Sequence, residues 1–165
     1  MSGKIHRYLA GDHELLEALL ERAMSDPANI DAAAYSQFRS GLLKHIGMEE
    51  KVLLPAAQKL RGGEPLPGAS KLRLDHGALA ALLVPPPTAL RVAAIRAILK
   101  AHNPIEEDPA GIYDQCEELA GAEAGEILRL LQNFPEVKVL PHVDSPFVME
   151  ATRRALARAG YDLKV

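Results

Sequence analysis

Lys44-His45-Ile46-Gly47-Met48-Glu49-Glu50 is the stretch whose reading decides the fold. It sets a histidine and a carboxylate four positions apart in a segment of helical composition. On an α-helix that spacing puts both side chains on one face, about one turn or ~6 Å apart. A metal ion fits between them. The arrangement returns as His102-Asn103-Pro104-Ile105-Glu106-Glu107, so HxxxEE occurs twice in a chain with six histidines. Two further histidines open matching phrases, Asp12-His13-Glu14-Leu15-Leu16-Glu17-Ala18-Leu19-Leu20 and Asp75-His76-Gly77-Ala78-Leu79-Ala80-Ala81-Leu82-Leu83, both of the form DHxxLxxLL. The chain is ordered DH, HxxxEE, DH, HxxxEE, one phrase for each of four successive helices.

Working outward, Ile5, Leu9, Leu16, Leu19, Leu20 and Ala23 recur at helical spacing, and Ser25-Asp26-Pro27 supplies a stop. Gly11 weakens this helix by ~1 kcal/mol relative to alanine, which leaves Asp12 as an alternative start. Asp31 reads as the cap of a second helix over 32–60, with Phe38, Leu42, His45, Glu49, Leu53 and Ala56 on its inner stripe. Pro55 lies in that stripe and predicts a kink just past the motif. Ser70 reads as the cap of a third helix ending at Val84, followed by the stiff connector Pro85-Pro86-Pro87. Thr88 caps a fourth, with Leu90, Ala94, Ile98 and His102 aligned. Counting residues from the helix ends puts His13 and His45 at one height but offsets His76 from His102 by ~7 Å, which the connector must absorb. Beyond Glu107, residues 111–119 and 122–134 read as helical and 137–141 as extended. Ser145 followed by Pro146 starts a last helix to about Ala159, whose Arg153, Arg154 and Arg158 read as a solvated face.

Alanine and leucine are abundant, tryptophan is absent and aromatic residues make up 4%, a balance that predicts an all-α fold. A chain of 165 residues supports one domain of ordinary size with a C-terminal extension. The division expected is a four-helix bundle over 1–120 and a helical extension over 121–165, packed on the bundle or on a partner subunit. With a net charge of -3 and both signs interspersed, no basic stripe exists to neutralise phosphates, which excludes nucleic acid as a partner. Cys116 is the only cysteine, so there is neither a disulfide framework nor a CxxC metal site. Residues 1–6 lack the apolar stretch of a signal peptide, and no segment approaches the ~20 apolar residues that cross a bilayer. A cytoplasmic protein is expected.

The repeated phrases resemble the hemerythrin-like, or HHE cation-binding, family over about residues 5–120. The resemblance implies an antiparallel four-helix bundle holding two non-haem irons bridged by carboxylates, with His13, His45, Glu49, His76, His102 and Glu106 as ligands. Another divalent metal could load in their place. Imidazoles and carboxylates in a core of leucine and alanine are costly unless a cation pairs them, which points the same way. For Glu106 a second reading stays open: Asn103 capping a new helix with Glu106 at its capping-box position, and Glu107 or Asp108 reaching the site instead. Asp12 and Asp75 each precede a ligand histidine but point about 100° away from it, so they are either partners for another histidine's far nitrogen or solvated acids. His6 and His142 fall outside the repeat and read as surface residues.

Oxygen-carrying hemerythrins have a fifth histidine four residues before that of the third helix, where this chain has Leu72. The resemblance then implies two histidines per iron and two shared carboxylates, a nearly symmetric and open site. The function expected is binding or sensing of dioxygen, nitric oxide, peroxide or iron itself. Two other classes compete: a small diiron peroxidase or oxidase with Tyr8, Tyr35 and Tyr113 as redox-capable neighbours, and an interaction module with a structural metal whose last helix forms a homodimer contact.

Overall fold

The computed structural model describes residues 2–165, and every regular element among them is helical. The α-helices are α1 (Lys4–Ala23), α2 (Ala32–Met48), α3 (Leu54–Leu60), α4 (Ala69–Leu82), α5 (Ala89–Glu107), α6 (Ile112–Ala120), α7 (Ala124–Gln132) and α8 (Pro146–Ala159). A π-helical stretch at Glu49–Leu53 joins α2 to α3, and a 3-10 turn at Gly121–Glu123 joins α6 to α7. None of the described helices is long and apolar enough to cross a membrane.

Short polar side chains start three of the helices. Asp31 accepts from the Ala34 N–H at 3.0 Å, Thr88 from Arg91 at 3.1 Å and Ser145 from Val148 at 3.2 Å, each satisfying a donor that the first turn leaves without an intrahelical partner. Ser70 does not cap α4. Gly68 takes that place with φ 89°, a left-handed turn that glycine makes without steric cost, and the helix begins at Ala69. α1 runs through Gly11 without interruption.

Neither proline in the motif helices breaks its helix. Before Pro55 the helix widens, and the Leu54 N–H donates to the carbonyl of Glu49, five residues back. Proline offers no N–H to the carbonyl of Lys51 and its ring crowds that carbonyl, a clash that a turn one residue wider relieves. The disturbance expected beyond the motif therefore falls on Glu49 and Glu50 themselves. Pro104 sits inside α5, which continues to Glu107, so Asn103 is not a cap. The carbonyl that Pro104 leaves without a donor belongs to Lys100, on the solvent side.

Two apolar clusters form the core, and each motif helix runs from one to the other. α1 passes from Ile5 and Leu9 to Leu16 and Leu20, and α4 from Leu72 to Leu79 and Leu82; α2 and its continuation pass the other way, from Phe38 and Leu42 to Leu53, as α5 does from Ile98 to Ile105. His13, His45, His76 and His102 occupy the layer between. α7 adds Ile127 and Leu131 to one cluster, and α8 adds Leu156 and Ala159 to the other. Across the Pro85–Pro87 connector the rings of His76 and His102 stand 4.9 Å apart, so the two histidines meet in spite of the offset that residue counting gives.

α6 is pinned to the start of α1. Glu117 accepts from the backbone N–H groups of Lys4 at 3.1 Å and Ile5 at 2.7 Å, a cap supplied from another helix. Gly3 permits the approach, because a Cβ there would lie 2.0 Å from Glu117 Cδ. On the same helix Asp114 accepts from His6 Nδ1 at 2.6 Å. His6 is consequently buried, which corrects its reading as a surface residue, whereas His142 is exposed as expected. Losing a cap typically costs about 1 kcal/mol, and for a chain of this size 1 kcal/mol is ~2–4 °C in Tm. Glu117→Ala is expected to lower Tm by that amount in thermal melts. Glu118→Ala, at an exposed neighbour, should leave it unchanged.

Candidate metal centre

The layer between the apolar clusters brings together all six residues that the motifs single out, and all six are buried. Their donor atoms fall into two overlapping groups that could each hold a metal ion: His13, His45, Glu49 and Glu106, and Glu49, His76, His102 and Glu106, with the atoms of each group within 4.8 Å of one another. The glutamates belong to both. Glu49 turns Oε1 to His45 Nε2 at 3.3 Å and Oε2 to His76 Nε2 at 3.1 Å. Glu106 turns Oε2 to His13 Nε2 at 3.4 Å and Oε1 to His102 Nε2 at 2.9 Å. Each carboxylate thus presents one oxygen to each histidine pair. In the second group Glu49 Oε2, His76 Nε2 and Glu106 Oε1 lie close to one another, with His76 Nε2 3.1 Å from the first oxygen and 3.9 Å from the second, yet none forms a hydrogen bond of good geometry. Buried polar atoms left this way are costly, and a cation among them satisfies all three.

Each of these four histidines has its other nitrogen on a carboxylate. His45 Nδ1 donates to Asp12 at 2.7 Å, His76 Nδ1 to Glu50 at 2.8 Å, His102 Nδ1 to Asp75 at 3.1 Å and His13 Nδ1 to Glu107. A carboxylate accepts only, so each Nδ1 carries a proton, and once Nε2 gives up its own the neutral imidazole turns that lone pair to the centre, as a metal ligand must. Asp12 and Asp75 are therefore partners of a histidine on the next motif helix, and Glu107 serves in the same way. Asp108 is exposed and ends the helix. Asp75 is itself held by Lys71, whose Nζ donates at 2.6 Å.

Without a metal the centre holds protons. Burial opposes charge on His45, but Glu49 and Asp12 outweigh it and push its pKa up to about 10. His76, buried but facing Glu106, Glu49 and Glu50, rises to about 11. His102, buried and bonded to Asp75 and Glu106, rises to about 9. Burial favours protonation of Glu49, yet the His45 and His76 cations hold it well below the usual carboxylate range.

Sequence reasoning named Tyr113 only as a redox-capable neighbour, and the structure places its hydroxyl inside the first group. Tyr113 Oη donates to Glu49 Oε1 at 2.6 Å and stands 3.1 Å from Glu106 Oε2, 3.2 Å from His45 Nε2 and 3.3 Å from His13 Nε2. No spacing signal betrays it, since the turn after α5 separates it from the motif. Of the other two tyrosines named with it, Tyr35 lies in the far apolar cluster and Tyr8 is only partly buried. Cys116 is buried, and burial pushes its thiol up to about 12, which leaves it inert as a nucleophile. A cavity of about 380 Å³, walled by Leu16, Leu20, Leu42 and Leu99 and flanked by Lys100, has His13 in its lining.

No family model matches the chain, and comparison with curated proteins and with solved structures gave no match either. The centre is therefore read from its own geometry.

Two outcomes follow from it. Removing a carboxylate that orients a ligand histidine typically lowers metal affinity by about 10–100-fold; Asp12→Asn and Glu107→Gln should each do so in a chelator competition, and Asp108→Asn should not. The second is a dependence on pH. Raised histidine values stabilise the metal-free fold in full below the ordinary value of ~6.5, and that stabilisation is lost as pH climbs from about 9 to about 11. Depressed Glu49 adds a part that is complete above the ordinary carboxylate value of ~4.3 and lost on stronger acidification. Metal holding runs the opposite way, because it needs neutral imidazoles. Melts of metal-loaded and metal-free protein should therefore converge as pH falls from 8 to 5. Parallel curves would contradict the coupling.

Proposed function

We propose that the chain is a hemerythrin-like, non-haem diiron protein whose core centre binds or senses a small ligand, dioxygen, nitric oxide or peroxide, or iron itself. The observation that carries this reading is the shared pair of glutamates, each with one oxygen toward His13 and His45 and the other toward His76 and His102. Two clusters with two bridging carboxylates are the donor set of a dinuclear site, and imidazole with carboxylate suits iron among first-row metals. The unpartnered atoms of the second cluster call for a cation. An antiparallel four-helix bundle of α1, α2 with its continuation, α4 and α5 is supported by the alternating sense in which these helices cross from one apolar cluster to the other.

Iron bound there would supply a redox-active centre at which a small ligand exchanges with water. The chain's own residues do the rest. The four Nε2 atoms and two glutamates hold the ions, and Asp12, Glu50, Asp75 and Glu107 fix the imidazole rings. Leu72, buried where oxygen carriers have a histidine, contributes no donor. A largely apolar cavity that has His13 in its lining lies beside the centre and could take up a small uncharged molecule. A cytosolic setting belongs to this reading, supported by a lone buried thiol in place of disulfides.

Anaerobic reconstitution with ferrous iron, followed by metal analysis after desalting, tests the proposal. The wild-type chain should retain about two irons, the number its paired clusters hold. Glu49→Ala should lose both, since Glu49 serves each cluster, and His102→Ala should lose mainly one. His142→Ala should match the wild type. Equal iron content in all four proteins, or none in the wild type, would overturn it.

A further inference from the structure

The two halves of the centre are built from equivalent phrases, yet only one of them contains a hydroxyl. Tyr113 lies seven residues after Glu106, and the residue seven after Glu49 is Ala56. Leu9 and Leu72, each four residues before a DH histidine, are fully buried and offer no donor to either half. The asymmetry rests on Tyr113 alone.

Its hydroxyl does more than bond to one carboxylate. Oη is 2.6 Å from Glu49 Oε1, 3.1 Å from Glu106 Oε2, 3.2 Å from His45 Nε2 and 3.3 Å from His13 Nε2. Those four atoms are the donor set of the first cluster. Donors about 2.1 Å from one metal and at right angles to each other stand ~3 Å apart. The hydroxyl therefore keeps to all four atoms the separation of a further vertex on the same ion. The three atoms of the centre without a hydrogen-bond partner, Glu49 Oε2, His76 Nε2 and Glu106 Oε1, lie toward the other cluster, and Tyr113 Oη bonds to none of them.

Resting on the diiron reading above, we propose that Tyr113 Oη is a fifth protein donor to the ion held by His13 and His45, and that the ion held by His76 and His102 is the one left with room for an exogenous ligand. As the metal–oxygen bond forms, the O–H bond breaks and its proton leaves for solvent; no electrons change hands. The ring cannot swing away. Tyr113 is fully buried, and Asp114 and Glu117 on the same helix tie α6 to His6 and to the first turn of α1.

The test uses the full chain reconstituted with ferrous iron and then oxidised, with metal analysis preceding spectroscopy. The wild type should show a visible tyrosinate-to-ferric charge-transfer band and, on excitation into it, phenolate ring modes in the resonance Raman spectrum. Tyr113→Phe, which keeps the ring, should lose band and modes together, and Tyr8→Phe should keep both. A merely structural tyrosine would leave the spectrum unmoved. Iron-loaded wild-type protein without phenolate modes overturns the proposal and needs no variant to fold; so do modes that persist in Tyr113→Phe. Failure to take up iron is a separate result, seen at the metal analysis, and it removes the diiron reading and this inference with it.

Discussion

Two carboxylates held away from water are the constraint on which the rest of the structure depends. Glu49 and Glu106 are 1% and 0% exposed, and moving such a charge out of water costs on the order of several kcal/mol per ion even after the surroundings relax. Opposite charge must stand close by, and the imidazoles of His45, His76 and His102 supply it in the metal-free chain. The apolar clusters above and below the layer exclude water, so every attraction inside is stronger and every unpaired atom costlier. Protonated histidines meet this need only in part. Three atoms of one cluster remain without a partner, and it is there that a cation has most to satisfy.

The supporting acids form a closed circuit around that layer. Asp12 of α1 holds His45 of α2; Glu50, just beyond α2, holds His76 of α4; Asp75 of α4 holds His102 of α5; Glu107 of α5 holds His13 of α1. Each motif helix thus carries both a ligand and the acid that aims its neighbour's ligand. Adjacent residues on a helix point about 100° apart, so in each of the doublets DH and EE one member faces the centre while the other faces the next helix. The acid of DH reaches within its own half of the chain and the second acid of EE reaches into the other half. The halves are thereby coupled through the rings they orient.

Most of this was legible in the residues. Spacing alone predicted two helices with a histidine and a glutamate on one face, and the two kinds of phrase, each occurring twice, predicted four helices that each carry a histidine. The six candidate ligands, all buried in the layer, came from the family resemblance that these phrases carry. What stayed hidden came from contacts that local pattern does not encode. His6 reads as an isolated histidine until α6 folds back to set Asp114 against it, and Tyr113 arrives at the centre by the same docking. The choice between solvated acid and histidine partner at Asp12 and Asp75 needed the positions of neighbouring helices. Pro55 was a visible disturbance whose place was misjudged, because a proline acts on the carbonyl four residues before it and so widens the turn that holds Glu49.

That displacement links the irregular features to the centre. The wide turn at Glu49–Leu53 and the proline inside α5 both lie within a few residues of a glutamate shared by the two groups, where an unbroken α-helix would fix the carboxylate by the regular geometry of its ladder. π turns are commonly found at functional sites, since one extra residue re-aims the side chains that follow. Here it lets Glu49 stay beside His45 while Glu50 reaches His76 on another helix. The second half meets the same demand differently, with α5 regular through Glu107 and then a turn that delivers α6. The repeat thus specifies two equivalent sets of buried histidines and carboxylates, and the segments that follow the two repeats make the sets unequal: α3 leads away from the layer, whereas α6 brings Tyr113 into it.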